Sequence, residues 1–276
     1  MLRFETAGES HGECLVTTVT GLPAGVPISI EFLNRQLWRR QQGYGRGGRM
    51  KIETDQVHIV SGVRHSKTIG SPIAILIENR DWKNWTSILP VEAKDAVEGK
   101  EKPLQRPRPG HADLAGVLKY NFAEARYILE RASARETAAR VAAGALAKTF
   151  LKEFNIDVLS HVIGVGPVRL ERRAEWEEIV ILNERDEVLL GCVDAQTEEK
   201  MKEAVDHAYH RIEAVPEAPL RRHCAARKPD WRDIEPELHD KWDDISEIAE
   251  LDVQRGDEEG GAEACEHREH DEPWQG

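Results

Sequence analysis

Two histidines lie on glycine-containing turns, where an imidazole could exchange a proton with a bound ligand. His11 lies in the run GESHG at residues 8–12, and His111 lies in the run RPRPGHAD at residues 106–113. Glycines beside His11 leave a bare backbone that a flat ligand can approach closely. A histidine at the exit of a basic loop, as His111 is, suits a general acid that protonates a leaving phosphate. For His11, a hydrogen-bonded loop residue is the alternative.

A basic, glycine-rich passage lies between the two histidines. Its cations are Arg39, Arg40, Arg46, Arg49 and Lys51, and its glycines are Gly43, Gly45, Gly47 and Gly48. Guanidinium groups on such a flexible backbone can bind phosphate in a bidentate manner. The passage therefore suits a phosphorylated small molecule or a nucleotide, and a solvated loop is the alternative.

A third basic segment predicts the start of a helix. Ser133 followed three residues later by Glu136 is a capping-box pattern. Free N–H groups and the helix dipole at this point, with Arg131 and Arg135 alongside, would hold an anion. A capped core helix without a ligand is the alternative.

Together these motifs resemble the chorismate synthase family. The resemblance rests on GESHG at residues 8–12 with GLPAG at 21–25, Arg40 with Gly43 and Arg46, RPGHAD at 108–113, and RASARET at 131–137. All of them stand in the family's order and at its spacing, across about residues 2–165. The resemblance implies an α+β fold, a β-α-β sandwich with central helices between antiparallel sheets.

The resemblance also implies an activity. Family members are lyases of the shikimate pathway of aromatic amino acid biosynthesis, and they make chorismate from 5-enolpyruvylshikimate 3-phosphate by 1,4-anti elimination of phosphate. They need reduced FMN, some use NADPH to reduce it, and they are typically cytoplasmic homotetramers. The implied partner is a phosphorylated small molecule, with no nucleic acid, membrane or metal.

The family's functional residues map onto single positions of this sequence. His11 resembles the histidine beside the flavin, and His111 resembles the one that protonates the departing phosphate. Arg40 and Arg46 match positions that bind NADP, in a loop that also faces the substrate phosphate. The implied FMN-binding triplet is Arg131, Ala132 and Ser133.

Local patterns predict the elements that must position these residues. An amphipathic helix is predicted over residues 29–42, with Phe32, Leu33 and Leu37 facing inward. The small apolar run 141–147 predicts a helix buried on every side, whose Gly144 admits close approach. The other predicted elements are strands at 14–20, 57–63 and 72–78, the last buried on both faces, helices at 114–122 and 194–211, and a possible strand at 188–193.

The charge is unevenly distributed and indicates two regions. Residues 212–276 contain 20 Asp and Glu against 8 Lys and Arg, whereas residues 1–211 contain 30 of each. A neutral body with an acidic tail argues against nucleic acid as the partner. We therefore predict a partial chorismate synthase domain at 1–211 and an acidic, disordered tail at 212–276.

The resemblance thins beyond residue 165, and the later Gly-rich strands and flavin-binding loops of the family are missing. The tail has three interpretations: a frameshifted end, an evolved partner-binding tail, or a metal site at Cys265, His267 and His270. Loss of a C-terminal sheet would leave an unpaired strand edge. The alternative function is therefore a weakly folded, catalytically inactive remnant that retains partial flavin or phosphate binding.

The composition predicts where in the cell the protein is located. The sequence has no apolar run near the roughly 20 residues that span a bilayer. Its N-terminus lacks the apolar core of a signal peptide. Four scattered cysteines indicate reduced thiols in a cytosolic protein.

Overall fold

The computed structural model describes residues 1–45, 53–92, 104–108, 110–210 and 221–227, the last seven and residues 209–210 by their backbone only. Arg46 and the possible metal ligands Cys265, His267 and His270 lie outside the described residues. So does most of the segment 212–276, for which the prediction of disorder stays a prediction.

Ten strands and six α-helices lie within the described ranges. The strands are β1 Arg3–Ala7, β2 Cys14–Thr20, β3 Ala24–Pro27, β4 His58–Ser61, β5 Val63–Arg64, β6 Lys67–Ile69, β7 Ile73–Glu78, β8 Asp157–Val165, β9 Val168–Arg169 and β10 Arg221–Arg227. The helices are α1 Ile30–Gln41, α2 Asp113–Tyr120, α3 Arg126–Arg131, α4 Thr137–Lys152, α5 Trp176–Glu184 and α6 Ala195–His210. Short 3-10 turns occupy Arg80–Asn84 and Ala134–Glu136.

A four-stranded antiparallel sheet in the order β1-β2-β7-β4 packs against α4, and α4 in turn packs against α1. Every second residue of β2 is buried, as alternation of side chains across a sheet requires. The predicted strand at 14–20 is confirmed, and so is the helix, which begins after the N-cap Ser29 and buries Leu33 and Leu37. In β7 only alternate residues are fully buried, so the prediction of burial on both faces was wrong.

Helix α4 is buried along one face only. Its buried residues are Ala138, Ala139, Ala142, Ala143, Ala145, Leu146 and Thr149. Gly144 is exposed, and a side chain added there would meet no atom within 4 Å. The predicted burial on every side was therefore wrong, because a run of small apolar residues does not specify how many faces are covered.

A second sheet has the order β10-β8-β9, and its strand β8 contacts both α5 and α6. A smaller apolar cluster lies between this sheet and α6. Seven residues of the segment predicted to be disordered form β10, which pairs antiparallel with β8. The prediction of a disordered tail at 212–276 stays a prediction.

The prediction of a possible strand at 188–193 was wrong, because three backbone N–H groups of this segment donate to a side chain. One carboxylate oxygen of Glu198 accepts the N–H groups of Leu190, Gly191 and Cys192 at 3.0, 2.8 and 3.2 Å. The predicted helix that follows is confirmed as α6, and the Asp194 carboxylate accepts the Thr197 N–H at its start. Within the described ranges, none of the helices combines the length and apolar character needed to cross a lipid bilayer.

Candidate active site

His11 lies in the turn between β1 and β2 and is fixed on two sides. Its Nδ1 lies 2.7 Å from the Glu130 carboxylate, and its backbone N–H donates to the same oxygen at 3.0 Å. The indole of Trp85 stacks on the imidazole, with ring centroids 3.9 Å apart and an interplanar angle of 24°. The Ser10 N–H donates to the Glu130 carbonyl at 2.9 Å, which ties the whole turn to α3.

Glu130 is a buried carboxylate, with 0% of its side chain exposed. Its second oxygen lies 3.4 Å from an Arg126 guanidinium nitrogen. Burial raises the pKa of Glu130, but the hydrogen bonds from His11 and Arg126 outweigh burial, so this pKa lies below its ordinary value. Glu130 therefore faces His11 as a charged acceptor.

His111 has a comparable arrangement at the start of α2. Its Nδ1 is hydrogen-bonded to the Asp113 carboxylate, whose side chain is buried. Arg108 donates to the same carboxylate through Nε at 2.9 Å and through its backbone N–H at 3.0 Å. These hydrogen bonds, those of Arg108 first, outweigh burial and lower the pKa of Asp113 to about 2.

We expect the stability of the chain to depend on pH through Asp113. Its pKa in the folded state, about 2, lies below the value of about 3.9 in the unfolded chain. The carboxylate therefore stabilises the fold above about pH 4, and this contribution is lost as the pH falls towards 2. Because the Arg108 partner is 44% exposed and screened by solvent, we expect D113N to cost only about 1 kcal/mol at neutral pH.

Urea unfolding at a series of pH values checks this prediction. The gap in unfolding free energy between the unmodified chain and D113N should narrow as the pH falls from about 4 to about 2. A gap that stays constant over this range would contradict it.

Arg40 reaches from the end of α1 to the start of α4. Its Nε donates to the Thr137 hydroxyl at 2.9 Å, and another nitrogen donates to the Ala134 carbonyl at 2.8 Å. A third contact reaches the Asp55 carboxylate at 3.4 Å. Only 11% of the Arg40 side chain is exposed. Its hydrogen bonds therefore serve mainly to connect α1 to the start of α4.

The capping box predicted at Ser133 does not form. The Ser133 hydroxyl accepts the N–H of Arg135, two residues on, at 3.3 Å. The Glu136 carboxylate does not return to the cap, because it accepts hydrogen bonds from the Thr6 hydroxyl and from Arg140. The chain therefore enters α4 through a 3-10 turn rather than directly from Ser133.

The two arginines of this segment have different environments. Arg135, predicted to face an anion, is buried with 6% of its side chain exposed, and it pairs with Asp55 and donates to the Asn79 amide oxygen at 2.8 Å. The prediction was wrong for Arg135, because protein carboxylates already neutralise its charge. Arg131 keeps 42% of its side chain exposed, although it contacts Thr6 and Glu136.

Arg131, Ala132 and Ser133 therefore present a half-exposed guanidinium, an exposed methyl group and a partly exposed hydroxyl. This donor set fits the phosphate or another anionic part of a bound cofactor. The fit is weaker for Arg40, whose hydrogen bonds are largely used within the protein.

The structure connects most of the predicted residues through α3. Glu130, which holds His11, directly precedes the triplet Arg131–Ser133, and Arg40 binds the turn after the triplet. The helix that His111 precedes, α2, packs on α3 so closely that a methyl group on Gly116 would meet Ile128 at 2.5 Å. Arg46 is outside the described residues.

Sequence reasoning missed three members of this site. Glu130 directly precedes the RASARET motif, and Asp113 ends the RPGHAD motif, so proximity to a motif was an available signal for both. Trp85 lies in a long segment without periodicity, and no local signal indicates its contact with His11.

Comparison with known proteins identifies related chains. The family model described as chorismate synthase matches residues 2–215. The chorismate synthase of Solibacter usitatus is 72% identical over 216 residues, which cover 78% of this chain and 55% of that protein. The chorismate synthase of Koribacter versatilis is 69% identical over 216 residues, which cover 78% of this chain and 54% of that protein.

A solved structure gives the same relationship. A crystal structure of chorismate synthase superposes with a TM-score of 0.57 and 37% sequence identity, covering 76% of this chain and 54% of that one. The chain thus spans about half the length of the curated relatives it matches.

Proposed function

The chain belongs to the chorismate synthase family and has its α+β fold, and we propose that it catalyses the elimination of phosphate from 5-enolpyruvylshikimate 3-phosphate to give chorismate. The observation that supports this activity best is the pair of histidines, each hydrogen-bonded to a buried carboxylate. Such a pairing fixes an imidazole for proton transfer.

We propose that Arg131, Ala132 and Ser133 bind reduced FMN, because Arg131 and Ser133 present partly exposed hydrogen-bond donors. When bound, the reduced flavin supplies transient electron density to the substrate, and the reaction has no net redox change. Arg40 and Arg46 are proposed to bind NADPH for flavin reduction, as their match to the family's positions implies.

The two histidines have separate roles in this proposal. His11, stacked on Trp85 and fixed by Glu130, exchanges a proton with the cofactor. His111 delivers a proton to the departing phosphate as its C–O bond breaks. Arg108 lies 2.9 Å from the His111 ring and is 44% exposed, so its guanidinium can stabilise the negative charge of the leaving group.

A second candidate function is binding without turnover. The partly exposed Arg131 guanidinium and Ser133 hydroxyl can hold an anionic ligand whether or not turnover follows.

An anaerobic assay with reduced FMN and 5-enolpyruvylshikimate 3-phosphate separates the two candidates. Release of phosphate with formation of chorismate supports the enzyme, and oxidised FMN serves as the control that should give no product. FMN binding without phosphate release supports the second candidate. Absence of both binding and turnover contradicts both.

A homotetrameric assembly and a cytoplasmic location complete the proposal, and both rest on the family resemblance. Sedimentation equilibrium of the purified chain tests the assembly, and a monomer across the concentration range would contradict it. Fractionation of the producing cells tests the location.

A further inference from the structure

The contact between Glu130 and His11 has a consequence for the chemistry of the imidazole. The Glu130 oxygen that lies 2.7 Å from Nδ1 also accepts the backbone N–H of His11 at 3.0 Å. An ionised carboxylate only accepts hydrogen bonds, so the ring nitrogen that faces it must carry a proton. The geometry therefore determines which nitrogen of His11 is protonated.

We propose that Glu130 is a positioning residue that keeps Nδ1 of His11 protonated, so that Nε2 is the atom that exchanges a proton in the site. The proposal concerns a residue to which the family resemblance assigned no role, and its catalytic consequence rests on the proposed function. Its structural claim, the tautomer of His11, does not.

The surroundings of Glu130 fit this role. The carboxylate is fully buried, and its other oxygen lies 3.4 Å from Arg126, which supports the charged form. The pKa of Glu130 lies below its ordinary value, so the carboxylate stays ionised at neutral pH. It therefore remains an acceptor while His11 gains or loses a proton.

Trp85 limits the other freedom of the ring. Its stacking on the imidazole at 3.9 Å opposes the rotation that would exchange Nδ1 for another atom facing Glu130. Arg126 also lies over the Trp85 ring, 5.7 Å from its centroid, which connects the stacking residue to the same helix as Glu130. Two independent contacts therefore fix the orientation and the protonated nitrogen of His11.

A merely structural role for Glu130 makes a different prediction. If the carboxylate only fastened the turn at residues 8–12 to α3, its loss would change stability without selecting a tautomer. In water, the neutral imidazole of histidine prefers a proton on Nε2, so the arrangement seen here reverses the default and can be detected.

The test is an NMR measurement of the ring nitrogens in the full chain labelled with ¹⁵N-histidine. Long-range ¹H–¹⁵N correlation spectra are recorded over a series of rising pH values until the ring ¹⁵N shifts stop changing, and H11N identifies the His11 signals by their loss. The variants are E130A, which removes the acceptor, and E130Q, whose amide oxygen can still accept from Nδ1. The matched control is E198Q. Glu198 likewise accepts backbone N–H groups, but it lies on α6, outside the candidate site.

We expect the unmodified chain, E130Q and E198Q to show the proton of His11 on Nδ1, and E130A to show it mainly on Nε2. A proton on Nε2 in the unmodified chain, or on Nδ1 in E130A, would overturn the proposal. Should E130A fail to fold, the tautomer of the unmodified chain decides the outcome alone, because it needs no variant.

The catalytic consequence is measured separately. If the chain is active, we expect E130A to lower kcat by about 100-fold, within the range that a positioned proton-transfer group contributes, and E130Q to restore most of it. An active chain whose kcat is unchanged by E130A contradicts the catalytic part. An inactive chain refutes the proposed function and leaves the tautomer result to decide the structural part.

Discussion

Replacing Arg135 by methionine is expected to lower the free energy of unfolding by about 3–5 kcal/mol, a large part of the total stability of a domain. The guanidinium is 6% exposed and pairs with Asp55, whose side chain is completely buried. It also donates to Asn79 and lies 3.8 Å from the Glu53 carboxylate. Methionine fills a similar volume but removes the Arg135 cation from two buried carboxylates, and Asp55 then keeps the longer contact with Arg40 at 3.4 Å.

Urea unfolding followed by circular dichroism measures this loss. The control is R140M. Arg140 lies in the first turn of α4, shortly after Arg135, is 57% exposed and pairs with Glu136. We expect that control to cost less than about 1 kcal/mol. Similar losses in both variants would contradict a special contribution from the buried pair.

A double variant keeps the Arg135 prediction testable even if R135M does not fold. Replacing Asp55 by asparagine in the R135M background removes one of the buried charges that lost the Arg135 contact, so R135M/D55N should be more stable than R135M. Arg40, which also contacts Asp55 at 3.4 Å, limits the recovery because it loses a partner in the double variant. No recovery at all would show that packing rather than charge causes the loss.

On the proposed function, replacing either histidine by alanine is expected to lower the rate of phosphate elimination by about 10²–10⁴-fold, the usual contribution of a positioned general acid or base. His11 and His111 each form a hydrogen bond to a buried carboxylate through Nδ1. Alanine removes the proton-carrying atom while leaving the carboxylate in place. The rate is measured as phosphate released under anaerobic conditions with reduced FMN.

The control for the histidine variants is H58A, because His58 lies exposed on β4 and is not assigned to the site. Its rate should equal that of the unmodified chain. FMN binding by each variant, followed by fluorescence, separates a loss of chemistry from a loss of cofactor. A rate in H11A or H111A equal to that of H58A would remove that histidine from the mechanism.

Two local elements of this protein follow from the sequence by itself. The β-branched run at 14–20 and the apolar spacing of Leu33 and Leu37 each define one buried face, so they specify a strand and an amphipathic helix without knowledge of their neighbours. The motifs around His11 and His111 likewise identified the family, because motif order and spacing are properties of the chain alone.

The sequence pattern failed where the outcome depended on distant partners. Residues 188–193 have the composition of a strand, yet three of their N–H groups donate to the Glu198 side chain. Helix α4 has apolar residues around its circumference, yet the described structure covers one face and leaves Gly144 exposed. In each case the pattern is compatible with several environments, and packing selects one.

Tertiary structure alone decided the roles of the charged residues in the candidate site. Arg131 and Arg135 lie four positions apart in one basic motif, but only Arg135 meets the carboxylate of Asp55, 80 residues away in sequence. Glu130 became the partner of His11 through a contact that spans 119 residues. Charge and hydrogen-bond capacity are properties of a residue type, whereas the partner that neutralises or orients each group is set by which distant segments the fold brings into contact.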